Sequence, residues 1–329
     1  MYPIEQSPLY RLSTKRKLAD LVKAHPHELT DLCHDTHRHY RFFSLRQGSK
    51  LRPISTPIDA MKKLHGRLFS LLQRIETPDY LHSGVPGRSY VTNARVHIGH
   101  RQVFKVDLKN FFPSVSPKRI HDLFLNVFQC APDISWMLSE MCLTRQHLPT
   151  GSSISQVIAF MSYRCMFDEI FALAQQHGLH MSCYVDDLTF SGEHITKQIQ
   201  YDVKCVIRKH LLTPHKFRFY GHTDSKLITG VVVSGTNISV RNKHQLIIHE
   251  QLTLYQGMVP GKQRDELWRK LLGRLHAAGI VDPTYREKAK HLTRANIDNF
   301  RKPTITKTPR ATARGSQADH PVCHQGSLG

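Results

Sequence analysis

The chain has 329 residues, 40% of them hydrophobic, enough to bury a core and to build two or three linked subdomains. Lysine and arginine together number 46 against 26 aspartate and glutamate, a net charge of +20 to which 23 histidines can add in mild acid. That excess argues for a polyanionic partner, most simply nucleic acid, and no apolar run long enough to cross a membrane accompanies it.

Met1 to Asp20 is polar and basic and does not read as a signal peptide. Ser13 is placed to cap a helix over 14–24, and Pro26 to open a second through about His34. Cys33, His34, His37 and His39 stand close in sequence, but no second cluster with zinc spacing joins them. The seven cysteines are scattered and form no Cys-x-x-Cys pair, which suits reduced thiols in a cytoplasm. Tyr40 to Leu45 and Leu51 to Ile54 flank Arg46-Gln47-Gly48-Ser49-Lys50, a β-hairpin pattern. Pro57 starts a helix carrying Met61, Leu64, Leu68, Leu71 and Leu72 at helical spacing.

Val103 to Leu108 alternates as a strand, with Phe104, Val106 and Leu108 toward a core and Lys105 and Asp107 on the other face. Pro113 then ends regular pairing. Helices are expected from Ser116-Pro117 to Phe128, over 133–142, over 153–176 after Gly151, and over 196–212. Strands are expected over 216–220, 227–234 and 238–241, then helices over 243–255, 262–278 and 283–300. From Lys302 the chain is rich in Thr, Pro, Gly and Ser, and its composition is that of a disordered basic tail.

The densest chemistry lies in Cys183-Tyr184-Val185-Asp186-Asp187-Leu188-Thr189-Phe190-Ser191. Two adjacent acids between short strands read either as a polar turn or as a hairpin tip that holds carboxylates out to a cation. Mg²⁺ prefers a few carboxylates with water and substrate phosphates to a closed protein cage. Asp107, near the end of another strand, would complete a cradle for two such ions and for in-line phosphoryl displacement. Ser152, Ser153 and Ser155 cluster at a helix start, either as caps or as contacts for an anionic ligand. Lys50 and Arg52 by themselves read as exposed hairpin charges.

The order Asp107-x-x-x-Phe111-Phe112, then Leu148-Pro149-Thr150-Gly151-Ser152-Ser153-Ile154-Ser155-Gln156, then Tyr184-Val185-Asp186-Asp187 resembles reverse transcriptase motifs A, B and C. Asn93-Ala94-Arg95-Val96-His97 is similar to the Asn-Ala-x-x-His signature of bacterial retron reverse transcriptases, and Ile228-Thr229-Gly230 to their Val-Thr-Gly motif. The resemblance runs from about Leu51 to about Leu292. It implies an α+β right-hand polymerase architecture. Residues 1–39 would be an N-terminal helical region, 40–100 fingers, and 101–235 a palm of antiparallel sheet plus helices, with fingers helices inserted at about 117–147. A helical thumb would cover 236–301, before the tail at 302–329.

The resemblance also implies RNA-directed DNA polymerase activity. Asp107, Asp186 and Asp187 would hold two Mg²⁺ ions, with Mn²⁺ as the alternative. Lys50, Arg52, Phe112, Gly151, Ser152 and Lys216 would face the deoxynucleoside triphosphate, with Phe112 as the gate against a ribose 2′-OH. One of Phe111 and Phe112 would be core and the other gate. Asn93, Arg95 and His97, together with the thumb, would contact RNA. The implied partner is a cognate structured non-coding RNA, copied from one of its own 2′-OH groups into a branched RNA–DNA hybrid (msDNA). A separate effector protein, a role in antiphage defence and a bacterial cytoplasmic location complete the implied setting. Several positions depart from the family pattern: Thr150 where many relatives have Gln, Gln156 where many have Pro, Val185 in place of Ala, and Thr213 in place of Asn. Two other readings stand beside this one: a group II intron-like or other bacterial reverse transcriptase, and an RNA-binding scaffold without catalysis.

Overall fold

Leu18, Ala19 and Val22 recur at helical spacing and are buried, and they fix the first helix, α1 (Lys15–Val22), against the core. Its cap is Thr14, whose hydroxyl accepts the Lys17 amide, and not Ser13 as expected; Thr14 is the residue from which a side-chain oxygen reaches the third amide of the helix. The computed structural model describes residues 1–301, so the expected tail at 302–329 lies outside the described residues.

After α2 (Pro26–His34) come β1 (Tyr40–Gln47) and β2 (Lys50–Pro57), an antiparallel two-stranded sheet. Helix α3 (Asp59–Leu72) begins two residues beyond Pro57, which still belongs to β2. Then follow α4 (Tyr90–Arg95), β3 (Gln102–Leu108), α5 (Phe111–Ser114), α6 (Pro117–Asp122) and α7 (Pro132–Cys142). The helix expected through Phe128 changes after Asp122 to a wider π-type turn at Leu123–Val127. The long helix expected over 153–176 is two helices, α8 (Ser155–Ser162) and α9 (Arg164–Gln176). Tyr163 breaks it with φ −117° and ψ 16°, and its hydroxyl donates to the Ser114 carbonyl.

Strands β4 (His180–Tyr184) and β5 (Asp187–Gly192) form a hairpin, followed by α10 (Lys197–Lys209) and β6 (Pro214–Tyr220). The run expected as one strand over 227–234 is two, β7 (Lys226–Ile228) and β8 (Val231–Ser234). Thr229 and Gly230 turn between them with φ 45° and 87°, a conformation glycine adopts without cost. Strand β9 (Asn237–Val240) completes that sheet, and α11 (Asn242–Gly257), α12 (Lys262–Val281) and α13 (Thr284–Arg301) follow.

The central sheet has the order β4-β5-β3-β6, antiparallel throughout. One of its faces carries Met181, Cys183, Leu188, Phe190, Phe104 and Val106 into the main core, which also takes in α1–α3 and α6–α10. Its helical cover comes from sequence periodicity and its sheet face from strict alternation. Each of these large apolar side chains contributes roughly 1.5–3 kcal/mol by leaving water. A second core of Val240, Ile248, Tyr255, Leu271, Leu275, Ala278, Tyr285 and Ala289 holds α11–α13 together. A third, of Val91, Ala94, Val103, Ile228, Val231 and Val233, joins α4 to the β7–β9 sheet. The α+β class expected from the sequence is the class the chain forms.

Candidate active site

Residues directly opposite in a ladder share a face, so the pairing register states what the other side of the central sheet displays. Asp107 stands opposite Asp187, and Lys105 opposite Thr189. Ser182 stands opposite Thr189 on the far side, and Tyr184 opposite Asp187. One row across the sheet is therefore Tyr184, Asp187 and Asp107, and the next is Ser182, Thr189 and Lys105. Ladder partners have Cα atoms about 4.5–5.5 Å apart, so two carboxylates 80 positions distant in the chain become neighbours. Asp186 occupies the two-residue turn between β4 and β5, beside both, and its carbonyl accepts the Leu108 amide at 2.9 Å.

The turn is held in an uncommon conformation. Val185 has φ 59°, a region that β-branched residues avoid. Its amide donates to Ser83 Oγ at 2.9 Å, and the 80–83 segment bonds along the outer edge of β4 through Tyr80 O, Cys183 and the His82 amide. Such strain persists where the surroundings over-determine it, and here it aims Asp186 beyond the strand ends.

Two lysines balance the acids. Lys105 Nζ donates to Asp187 Oδ2 at 2.9 Å and to the Leu227 carbonyl at 3.4 Å. Lys216 Nζ donates to Asp107 Oδ2 at 2.6 Å. Lys216 is placed by an irregularity in the β3–β6 ladder, where Lys216 and Phe217 together oppose the single residue Val106, and its own φ is 48°. The balance is incomplete. Burial first, then the Asp107 charge, pushes the Asp186 carboxyl up to about 6. Burial also raises Asp187, opposed by Lys105.

Among the described residues no three His, Cys, Asp or Glu side chains stand close enough to hold an ion by themselves. Asp107 and Asp187 are turned to their lysines. An ion that takes two or three carboxylates and completes its shell with water and phosphate fits this donor set, and an ion that needs a full protein cage does not.

The other residues singled out from sequence divide sharply. Phe111 is buried against Tyr163 and Phe167, while Phe112 is half-buried beside it, four and five residues after Asp107. Arg52 is exposed on β2, and the Lys50 side chain lies outside the described residues. Gly151 makes its close approach to protein: a Cβ there would collide with Thr56 Oγ1 and lie 3.0 Å from the Ser55 carbonyl. Its amide donates to that carbonyl, and Thr150 Oγ1 donates to Pro53 O, so this loop is tied to the β1–β2 hairpin. Ser152 donates to His65 Nδ1 at 2.6 Å, while His65 Nε2 donates to the Met141 carbonyl. Burial holds that imidazole down to about 4, hence neutral.

The expectation that Asn93 and His97 touch RNA is not met, because both are fully buried. His97 lies between the two strands of the acidic hairpin, 2.7 Å from Ser182 Oγ on β4 and 2.7 Å from Ser191 Oγ on β5. Burial lowers its pKa well below the usual histidine range, so one nitrogen donates and the other accepts. Asn93 Nδ2 donates to Thr229 Oγ1 at 3.5 Å, and Thr229 in turn donates to the Tyr90 carbonyl. The two signature segments thus pack on each other and brace the hairpin. Arg95, between them, is exposed. Lys105, Ser83, Ser182 and Ser191 were not singled out; for Lys105 a signal existed, its place two residues before Asp107 on the same strand face.

Fold and site together define an α+β protein with a carboxylate cluster at the tip of an antiparallel hairpin, beside two lysines. No protein-family model matches the chain. Individual proteins do. It is 31% identical over 157 residues to the retron Se72 reverse transcriptase of Salmonella heidelberg, covering 47% of this chain and 41% of that protein. It is 26% identical over 244 residues to the retron Mx65 reverse transcriptase of Myxococcus xanthus, covering 65% and 56%. The retron Ec86 reverse transcriptase of Escherichia coli is 24% identical over 217 residues, covering 63% and 68%. The chain is thus similar to several retron reverse transcriptases, and its matches span about half the length of the first two of these curated relatives. Among solved structures, a foamy viral protease-reverse transcriptase in complex with double-stranded DNA gives a TM-score of 0.47 at 13% identity, covering 79% of this chain and 39% of that one.

Proposed function

We propose that the protein is a retron-type RNA-directed DNA polymerase. The observation that carries this reading is the register that sets Asp107 opposite Asp187, with Asp186 in the adjoining turn. Similarity to several reverse transcriptases supports it independently. Asp107 and Asp186 would hold two Mg²⁺ ions, with Asp187 in support. Bound there, the ions would acidify the primer hydroxyl and neutralise the triphosphate and the departing pyrophosphate.

The chain's own side chains do the rest. Lys216, exposed on β6, leaves Asp107 for the triphosphate, where its charge steadies the leaving group. Arg52 and Lys50 reach the same phosphates from the β1–β2 hairpin, which Thr150 and Gly151 hold against the loop before α8. Ser152, fixed by His65, sets the geometry of that loop beside the nucleotide. Phe111 anchors the short α5 in the core, and Phe112 stands beside it as the barrier to a ribose 2′-OH.

The template is a structured non-coding RNA, recognised by shape, unpaired bases and 2′-OH groups, with Arg95 and the α11–α13 helices as the contacts. Synthesis starts from a 2′-OH of that RNA and leaves a branched hybrid, the working part of an antiphage defence system with its own effector protein. The test is to purify the protein from its host and sequence the nucleic acid bound to it. One small structured RNA joined to DNA is expected. In Asp186→Asn the RNA should remain and its DNA portion should disappear; DNA present at the wild-type level would refute the assignment. Phe112→Ala is expected to admit ribonucleotides, and an unchanged sugar preference would move the gate to another residue.

A further inference from the structure

The two lysines beside the aspartates are not equivalent. Both make one short bond to a carboxylate, 2.6 Å for Lys216 to Asp107 and 2.9 Å for Lys105 to Asp187. The Lys216 side chain is 57% exposed and bonds to nothing else among the described residues, so it can swing away. The Lys105 side chain is only 13% exposed, and its ammonium has a second partner in the Leu227 carbonyl, in the middle of β7. Lys105 also stands in the same row as Thr189 and Ser182, in the polar layer that α4 and His97 seal from solvent. Moving it would strand a buried charge and break two bonds at once.

The geometry points to Lys105 as a positioning residue that reserves Asp187. This rests on the polymerase reading above. Lys216 is the displaceable counter-ion, which yields Asp107 when metal and triphosphate arrive. Lys105 is the permanent one, which keeps Asp187 from joining the ligand set. Once Lys216 has moved off Asp107, the site offers an ion two carboxylates, Asp107 and Asp186, and not three. Three would grip a divalent ion without substrate; two leave it to be completed by the triphosphate's own oxygens. Metal loading is thereby coupled to arrival of the nucleotide.

The test uses the full-length protein and Mn²⁺ alone, with free ion counted by its electron paramagnetic resonance signal. Asp187→Asn in the otherwise unaltered protein is expected to change Mn²⁺ affinity less than about threefold. Lys105→Met is expected to tighten it about tenfold or more, and adding Asp187→Asn to Lys105→Met should abolish that gain. Lys105→Arg, which keeps the charge, should behave as the unaltered protein. If Lys105→Met fails to fold by circular dichroism, Lys105→Gln makes the same comparison. An equal effect of Asp187→Asn with and without Lys105, or no tightening on its removal, overturns the proposal. Failure of the polymerase reading looks different: the unaltered protein would add no deoxynucleotide to an RNA-templated primer, whatever its Mn²⁺ affinities.

Discussion

Asp186 is a carboxylate at the tip of a turn, yet burial and its acidic neighbours raise its pKa to about 6 from an ordinary value of 3.8. In the range between those two values the folded chain binds more protons than the unfolded one, so stability falls as pH rises toward 6. Above 6 the ionised form carries its full cost. Asp186→Asn should therefore melt higher than the unaltered protein at pH 7.5, by on the order of 1–2 kcal/mol after allowing for partial solvent contact. The gain should shrink by pH 5, where the native carboxyl has taken up its proton. Denaturant titrations at both pH values decide this, and an equal gain at each would show that charge is not its source. The same variant is expected to lose DNA synthesis, in which case the residue trades stability for chemistry.

At the scale of elements, α4 does what its sequence did not announce. It is short, six residues, yet it meets the β7–β8 turn through Asn93 and Tyr90, and His97, two residues past its end, closes the polar side of the hairpin. Tyr90 extends the connection to α12, where its hydroxyl donates to the Ala277 carbonyl. His97→Leu removes both serine bonds and strands two buried hydroxyls, at a cost of about 1–3 kcal/mol each. The expected result is a tenfold or greater loss of DNA synthesis with RNA affinity held within about threefold. Filter binding beside primer extension measures both. A parallel fall in RNA affinity would return His97 to the RNA surface and contradict its burial.

The whole molecule carries +20, and its third core joins α4, beside the central sheet, to the β7–β9 sheet ahead of the helical α11–α13 unit. A basic protein that grips a nucleic-acid backbone releases counter-ions when it binds. If six to ten phosphates are neutralised, RNA affinity should drop by about 10³–10⁵ between 50 and 200 mM salt. Dissociation constants across that range give the slope directly. A flat response would exclude the backbone as the main contact. No described helix is long and apolar enough to cross a membrane.

Local patterns were legible in the chain. Alternation around Asp107, the hairpin about Asp186 and the helical spacing of α3 depend on neighbours a few residues away, and they formed as read. The sequence by itself thus determined that three acids sit at strand ends and turn tips, and that one of two adjacent phenylalanines goes inside. Tertiary structure alone decided which acid faces which lysine, because that depends on ladder register and on the irregularity at Lys216. It alone decided that Asn93 and His97 are interior, since polarity marks a residue for water unless a partner far along the chain satisfies its hydrogen bonds within the protein. And it alone broke one helix at Tyr163, where a contact to Ser114, more than 40 residues away, outweighed local preference.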